Sequence, residues 1–125
     1  MRSGGLRPPL HGDDEMWIFT TKGFLSVVQH NSMPDHFQVK SRTADPLKHF
    51  WPEYEIEVID WADYRFRITI PKGDVIQVLT EITESVGYTG FKNACEGDEY
   101  HRSLVRVWSV MYNFQSRIEA RPRRS

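Results

Sequence analysis

Cysteine is nearly absent from this sequence, since Cys95 is the single one among 125 residues. One cysteine has no intrachain disulfide to form, which excludes the small disulfide-stapled scaffolds of secreted proteins. The sequence also lacks the apolar segment of a secretory signal and a run of about 18 apolar residues that would form a membrane helix. We therefore expect a soluble cytoplasmic protein that makes no membrane contact.

Recognisable cofactor motifs are missing as well. The sequence has no G-x-G-x-x-G segment and no P-loop, so it gives no support to a nucleotide-binding fold. Its histidines show no His-x-x-x-His spacing, and one cysteine is too few for a zinc ribbon. The histidines are His11, His30, His36, His49 and His101. We predict neither a metal nor a cofactor.

An excess of positive charge is also lacking, because 16 basic residues face 17 acidic ones for a formal net charge of −1. Four arginines and one glutamate lie in residues 117–125, so residues 16–116 are more acidic than the chain as a whole. A domain dedicated to nucleic acid is normally basic. The charge balance therefore argues against such a domain.

The composition that remains is that of a globular protein, with 39% hydrophobic and 13% aromatic residues. Such a composition supports a packed core and argues against intrinsic disorder. We expect that core to be rich in aromatic side chains. The four tryptophans assigned to it are Trp17, Trp51, Trp61 and Trp108.

The chain divides into three zones. Residues 1–15 contain glycine, paired prolines and charge without an apolar period, which predicts a flexible leader and makes Met16 a candidate start. Residues 16–116 form a single domain. Residues 117–125 form a basic flexible tail, because Pro122 stops a helix and the arginines repel one another.

The first half of the domain shows the period of β-strands. Residues 16–30 predict two strands joined by a tight turn at Thr21 to Gly23. Residues 35–43 alternate between apolar and polar side chains, which predicts a strand with one packed face and one wet face. The packed positions are Phe37, Val39 and Ser41. A short helix follows, capped by Asp45 with Pro46 at its first position.

Two further strands and two long helices complete the pattern. Residues 54–60 and 63–70 predict strands, with Arg65 and Arg67 outward. The inward positions are Tyr64, Phe66, Ile68 and Ile70. Residues 72–87 predict a helix that Gly87 caps, and residues 98–115 predict a second one with a stripe at helical spacing. That stripe comprises Tyr100, Leu104, Val107, Trp108, Met111 and Gln115.

This order predicts an α+β fold with a mostly antiparallel sheet and two long helices on one face. The part from the third strand to the first long helix resembles the βαββα section of a ferredoxin-like sandwich, with the leading hairpin in place of the final strand. The other face of the sheet is then open to solvent or to a partner.

Four sequence segments together resemble a family of small uncharacterised bacterial and phage proteins. The segments are MWIFTTKGFLSVVQH, ADYRFR, YTGFK and RVWSVMY. Members of that family begin with Met-Trp and end in a Val-Trp-Ser-Val-Met helix, and the resemblance spans roughly residues 16–115. It implies that the family-like region starts at Met16, and it brings no activity with it.

The open face offers the first candidate binding site. We expect Lys40, Arg42, Arg65 and Arg67 to lie there on neighbouring strands, where arginine suits phosphate or carboxylate recognition. The alternative is a solvated surface whose cations are neutralised across the strands. The neutralising residues are Glu53, Glu55, Glu57 and Asp60.

The last helix offers a second candidate, because Arg102 and Arg106 lie one turn apart on its outer side. With Tyr112 and Phe114 they fit a ridge that docks a partner, since aromatic residues and arginine anchor interfaces. The ordinary alternative is an ion pair of Glu99 with Arg102 on a solvated surface.

Cys95 is the one candidate nucleophile, with His101 and Asp98 nearby in sequence. No glycine-rich oxyanion segment or nucleophile elbow accompanies it, so a half-buried structural cysteine is favoured. Tyr88 and Phe91 are expected to seal the connection between the long helices, with Lys92 pointing outward. We predict no catalytic residue.

These observations favour a small non-enzymatic regulatory or protein-interaction module, with self-association through the sheet edge or open face as one form of it. The first alternative is a nucleic-acid or phosphorylated-ligand binder that uses the arginine- and lysine-lined face. The second is a small cysteine- or histidine-dependent hydrolase.

Overall fold

Five strands and four helices make up the part of the chain that the structure, a computed structural model, describes, which is residues 15–121. Predictions for residues 1–14 and 122–125 lie outside this range. The strands are β1 (Met16–Thr20), β2 (Gly23–Gln29), β3 (His36–Ser41), β4 (Glu57–Val58) and β5 (Phe66–Pro71). The helices are α1 (Asp45–Phe50), α2 (Lys72–Glu84), α3 (Phe91–Ala94) and α4 (Asp98–Glu119). The predicted α+β class and the two long helices are confirmed.

The strands form one open antiparallel sheet in the order β1-β2-β3-β5-β4. Both β3 and β4 pair antiparallel with β5, so they run in the same direction on either side of it. With α1 in the crossover, this is the split βαβ arrangement of ferredoxin-like folds. β2 occupies the position of the final strand of such a fold.

The core lies on one face of the sheet, beneath α1 and α2. Val39 of β3 lies opposite Val27 of β2 and Ile68 of β5, so one row of branched side chains crosses the sheet. Leu47 and Trp51, together with Val75 of α2, cover this row and are fully buried. At about 25 cal/mol per Å² of apolar surface, this burial is the main force that fixes the sheet against the helices.

The turn between β1 and β2 depends on glycine. Gly23 has φ of +145°, and a Cβ added to it would lie 2.8 Å from Cγ of Pro46. Thr20 stabilises the same turn, since its hydroxyl donates to the Gly23 carbonyl at 2.7 Å and accepts from the Gly23 amide. The predicted hairpin is therefore present, and its glycine lets α1 approach the backbone closely.

Three local predictions for the middle of the chain are wrong. Asp45 makes no side-chain cap; Ala44 is the N-cap residue, and Asp45 lies in the first helical turn, where its charge suits the helix dipole. The strand predicted over residues 54–60 shrinks to Glu57–Val58 because Tyr54 turns into the core cluster. Tyr64 stacks on Phe24 with ring centres 5.9 Å apart, so it lies on the opposite face from Ile68.

The helix boundaries and the tryptophans also differ from expectation. α2 ends at Glu84 with Ser85 as C-cap, before Gly87 is reached. α4 continues to Glu119, past the predicted Gln115, because only Pro122 interrupts its helix-forming residues. Of the four tryptophans expected in the core, Trp51 alone is buried.

α4 differs most from prediction, because it does not lie on the sheet beside α2. Within residues 15–121, α3 is the element that it contacts most, and its link to the sheet is through the β1–β2 hairpin. None of the helices in this range is both long and apolar enough to cross a membrane.

Candidate functional site

The sheet face opposite the core carries a cluster of aromatic side chains. Phe24 is its centre, since the rings of Trp17, Phe19 and Tyr64 lie 5.7, 5.0 and 5.9 Å from it. The register explains the grouping, because Phe19 pairs with Phe24 and Trp17 with Ser26, so these side chains alternate away from the core. We call this set of four rings the aromatic cluster.

A carboxylate lies beside the aromatic cluster. Oε1 of Glu15 accepts hydrogen bonds from the Ser26 hydroxyl at 2.5 Å and from Nε1 of Trp17 at 3.1 Å. Burial alone would raise the pKa of Glu15, but the hydrogen bonds from Ser26, Trp17 and Tyr64, with the charge of Lys40, hold it below the usual value. The face therefore contains a stabilised anion, in a residue assigned by sequence to the leader.

The predicted basic residues lie on this face, and the structure gives most of them partners. Arg42 forms an ion pair with Asp63 at 3.1 Å and lies 4.4 Å from the centre of the Tyr64 ring. Arg65 forms an ion pair with Asp60 at 2.8 Å. The predicted neutralisation by Asp60 is thus present, and Asp63 is an additional partner that the sequence did not indicate.

Lys40 and Arg67 are direct neighbours, because they pair across β3 and β5. Nη2 of Arg67 donates to the Tyr64 carbonyl at 2.9 Å. Its Nε is buried and has no hydrogen-bond partner within residues 15–121. A buried donor without a partner costs free energy.

Cys95 has the environment of a structural cysteine. It is half-buried, and its Sγ lies 3.2 Å from the Phe91 carbonyl oxygen, to which the thiol donates. Burial raises the pKa of the Cys95 thiol. A nucleophilic cysteine needs the opposite change, a lowered pKa that supplies thiolate near neutral pH. No group of three or more metal-ligating side chains occurs within residues 15–121.

The first turns of α4 are fastened to the hairpin. The Tyr100 hydroxyl donates to the Thr20 carbonyl at 2.6 Å, and the Glu96 amide donates to the Thr21 carbonyl at 3.0 Å. Lys22 forms an ion pair with Glu96. Leu104 is buried and shares a groove with Phe19 and Val107. The N-terminal third of α4 is thereby held at the end of the sheet.

The remainder of α4 presents large apolar side chains to solvent. Trp108, Met111 and Phe114 are 54%, 55% and 50% exposed, and Ile118 is exposed as well. Together with half-buried Val107 they follow the same side of the helix as Leu104. We call Val107, Trp108, Met111, Phe114 and Ile118 the α4 stripe. Trp108 and Met111, which the sequence assigned to the core, lie in it.

The arginines at the start of α4 lie away from this stripe, whereas Glu119 lines the same groove as Trp108 and Ile118. Arg102 and Arg106 are exposed, and within residues 15–121 the ion pairs do not include Glu99 with Arg102. Lys92, expected to point outward, places its Nζ 5.1 Å from the centre of the Trp108 ring. Tyr88 and Phe91 contact each other with ring centres 5.9 Å apart.

The sequence contains one signal for the α4 stripe. Phe114 lies three residues after Met111, and Ile118 continues the apolar spacing beyond Gln115, so the pattern is longer than one sheet-covering helix in a domain of this size requires. Glu15 gave no such signal, because its role comes from contacts with β2 that periodicity does not show.

Comparison of the chain with protein-family models, with curated proteins and with solved structures gives no significant match.

Proposed function

We propose that this chain is a small cytoplasmic protein-interaction module that acts without chemistry of its own and docks through the α4 stripe. The observation that carries this proposal is the half or greater exposure of Trp108, Met111 and Phe114 on one side of one helix. Large aromatic side chains and methionine are the residues enriched at interfaces, where they supply contact area at low entropic cost.

The extent of the exposed surface supports an interface. Because aromatic side chains carry roughly 150–250 Å² each, the half-exposed residues of the α4 stripe leave on the order of 400 Å² of apolar surface uncovered. Patches of that size on monomers are often functional. At about 25 cal/mol per Å², covering the stripe contributes about 10 kcal/mol before the costs of association.

The open sheet face supports docking less well. Its aromatic rings contact one another, and Arg42 and Arg65 are each engaged with a carboxylate. A ligand at those arginines would first have to displace Asp63 or Asp60. The α4 stripe has no such competitor among residues 15–121.

The experiment is capture of the tagged protein from its native cells, with three versions compared. Met111→Glu places a charge in the α4 stripe, whereas Val105→Glu places the same charge about 120° round the same helix. We expect a stoichiometric protein, either foreign or a second copy, that wild type and Val105→Glu retain and Met111→Glu loses. The proposal fails if no protein depends on the stripe in this way.

One observation favours the alternative of a nucleic-acid or phosphorylated-ligand binder, namely the buried Nε of Arg67 beside Lys40. A single-stranded oligonucleotide titration tests it, since phosphate binding must weaken steeply with salt. Arg42→Ala with Arg67→Ala should abolish this binding, whereas Arg106→Ala on α4 should not. The alternative is excluded if the binding does not weaken with salt, or if the double variant binds the oligonucleotide as tightly as wild type.

A further inference from the structure

We propose that the α4 stripe packs against the same stripe of a second copy of this chain, antiparallel, with Met111 opposite Phe114 and Val107 opposite Ile118. This inference rests on the proposed function, because it identifies the partner that covers the docking surface. It also replaces the sheet edge and the open face as the expected surface for self-association.

Six of the large apolar residues of α4 have the spacing of helices that pair with helices. From Tyr100 to Ile118 these six recur at alternating intervals of four and three residues. The series is Tyr100, Leu104, Val107, Met111, Phe114 and Ile118. A heptad repeat of this kind fits a second helix at the seam, and it occupies an arc of roughly 80° on the helix surface. A sheet or a loop would not need the repeat to continue so far.

The folded body, by which we mean the sheet together with α1 and α2, determines the orientation of the pair through its position. It favours antiparallel helices. Tyr100 and Leu104 belong to the same series, and they face the hairpin of their own chain. The body therefore blocks the N-terminal end of the seam and leaves the C-terminal end free. A parallel pair would bring two bodies into the same space between the helices, whereas an antiparallel pair separates them to opposite ends.

The register follows from the length of the free seam. It runs from Val107 to Ile118, about 18 Å of helix, and its midpoint lies between Tyr112 and Asn113. A two-fold axis at this midpoint pairs Val107 with Ile118 and Met111 with Phe114. Ile118 of the second copy then enters the groove formed by Phe19, Phe91 and Val107.

The buried area agrees with this arrangement. The two stripes supply on the order of 800 Å², and the groove walls with Val110 bring the interface to roughly 1,000 Å², about the minimum for a specific complex. Antiparallel packing also sets the two helix dipoles in opposite directions, whereas parallel packing would align them.

Disulfide formation between single-cysteine variants tests the orientation. Val107→Cys and Ile118→Cys are made separately in a Cys95→Ser background, and circular dichroism confirms that each variant folds. Antiparallel packing brings the two positions within disulfide reach, whereas two copies of either position lie about 16 Å apart along the helices. We therefore expect the mixed disulfide to predominate over both symmetric products when the variants are combined and oxidised.

Each result decides the question. Symmetric products that predominate would show a parallel pair, and cross-linking no stronger than that of a Val105→Cys control would show that no second copy occupies the stripe. Either outcome overturns the inference. The proposed function would survive the second outcome if capture from cells still finds a foreign protein that Met111→Glu releases, so the two failures are distinguishable.

Discussion

Three individual residues make contacts that can be tested directly. They are Glu15, Gly23 and Cys95. Glu15 is the residue before β1, and its carboxylate accepts hydrogen bonds from Trp17 of β1 and Ser26 of β2. Gly23 allows α1 to contact the hairpin. Cys95 is held against the Phe91 carbonyl. Each of these contacts is local enough for one substitution to measure.

Glu15→Gln should lower the free energy of unfolding at pH 7 by about 1 kcal/mol, because a neutral amide accepts the same hydrogen bonds more weakly. The pKa of Glu15 lies below the unfolded value of about 4.5, so the unfolded state takes up the proton first as pH falls. The stabilisation is complete above the unfolded pKa and is lost as pH falls through the folded one.

Urea unfolding of wild type and Glu15→Gln at pH 7 and pH 3 measures this effect. We expect a difference at pH 7 that shrinks at pH 3, and Glu55→Gln, at an exposed position, should show neither. An equal difference at both pH values would contradict the role assigned to the carboxylate.

Gly23→Ala should destabilise the fold by about 2 kcal/mol or more, because φ of +145° strains an alanine and its Cβ meets the ring of Pro46. Gly73→Ala is the matched control. A Cβ at Gly73 meets no atom within 4 Å, and the position lies in α2, so alanine should stabilise by about 0.5–1 kcal/mol. Thermal unfolding of both variants measures the two changes in stability, which should have opposite signs. Equal destabilisation of the two variants would contradict the close contact between Gly23 and Pro46.

Cys95 should react slowly with a disulfide reagent at pH 7.5 in the native protein and rapidly after unfolding in urea. The reason is that burial raises the pKa of the thiol and restricts access to it. A fast native reaction would restore the cysteine-dependent hydrolase as a candidate function.

The sequence predicted individual positions well where one face of a strand controls burial. Val39 and Ser41 are buried as their alternation required, and Ile68 and Ile70 are buried on the neighbouring strand. It failed for Tyr64, which precedes β5 and so is not bound to the alternation of that strand. Stacking on Phe24 determines its side instead, and no local pattern contains that contact.

The two long helices show that apolar spacing in a sequence can predict a helix without predicting which other element the helix packs against. The sequence predicted both long helices and the apolar side of α4. An amphipathic helix that follows a sheet in the sequence is expected to pack its apolar side on that sheet. In this chain the bonds from Glu96 and Tyr100 to the hairpin fix where α4 begins. These bonds join residues about 80 positions apart, which periodicity does not detect.

Tyr100→Phe should loosen this attachment. The Tyr100 side chain is half-buried, and burial raises the pKa of its hydroxyl, which donates to the Thr20 carbonyl. Removing the donor leaves that carbonyl without its partner and should cost about 1 kcal/mol. Tyr112→Phe removes a hydroxyl from an exposed tyrosine of the same helix and should have no measurable effect.

Hydrogen exchange of the α4 amides reports the consequence directly, because a helix that detaches from the hairpin exchanges faster in its first turns. Faster exchange in Tyr100→Phe than in Tyr112→Phe is the expected result. Equal exchange in the two variants would show that the apolar contacts of Leu104 hold the helix without this bond.

For the molecule as a whole, the structure separates a folded body from a projecting helix. The body is complete, because α1 and α2 cover the core side of the sheet and bury Trp51. The α4 stripe, in contrast, is exposed and continues beyond the contacts with that body. We interpret the chain as a folded body that carries one helix with an exposed apolar side, the α4 stripe. In our proposal the second copy buries this stripe.

Sedimentation equilibrium over a dilution series tests the central claim most directly. Wild type and Val105→Glu should approach twice the chain mass of 14.7 kDa at high concentration and dissociate on dilution, because they retain the α4 stripe. Met111→Glu should stay at 14.7 kDa with unchanged circular dichroism. A wild type that remains monomeric at the highest attainable concentration, or a Met111→Glu variant that still dimerises, would contradict the account.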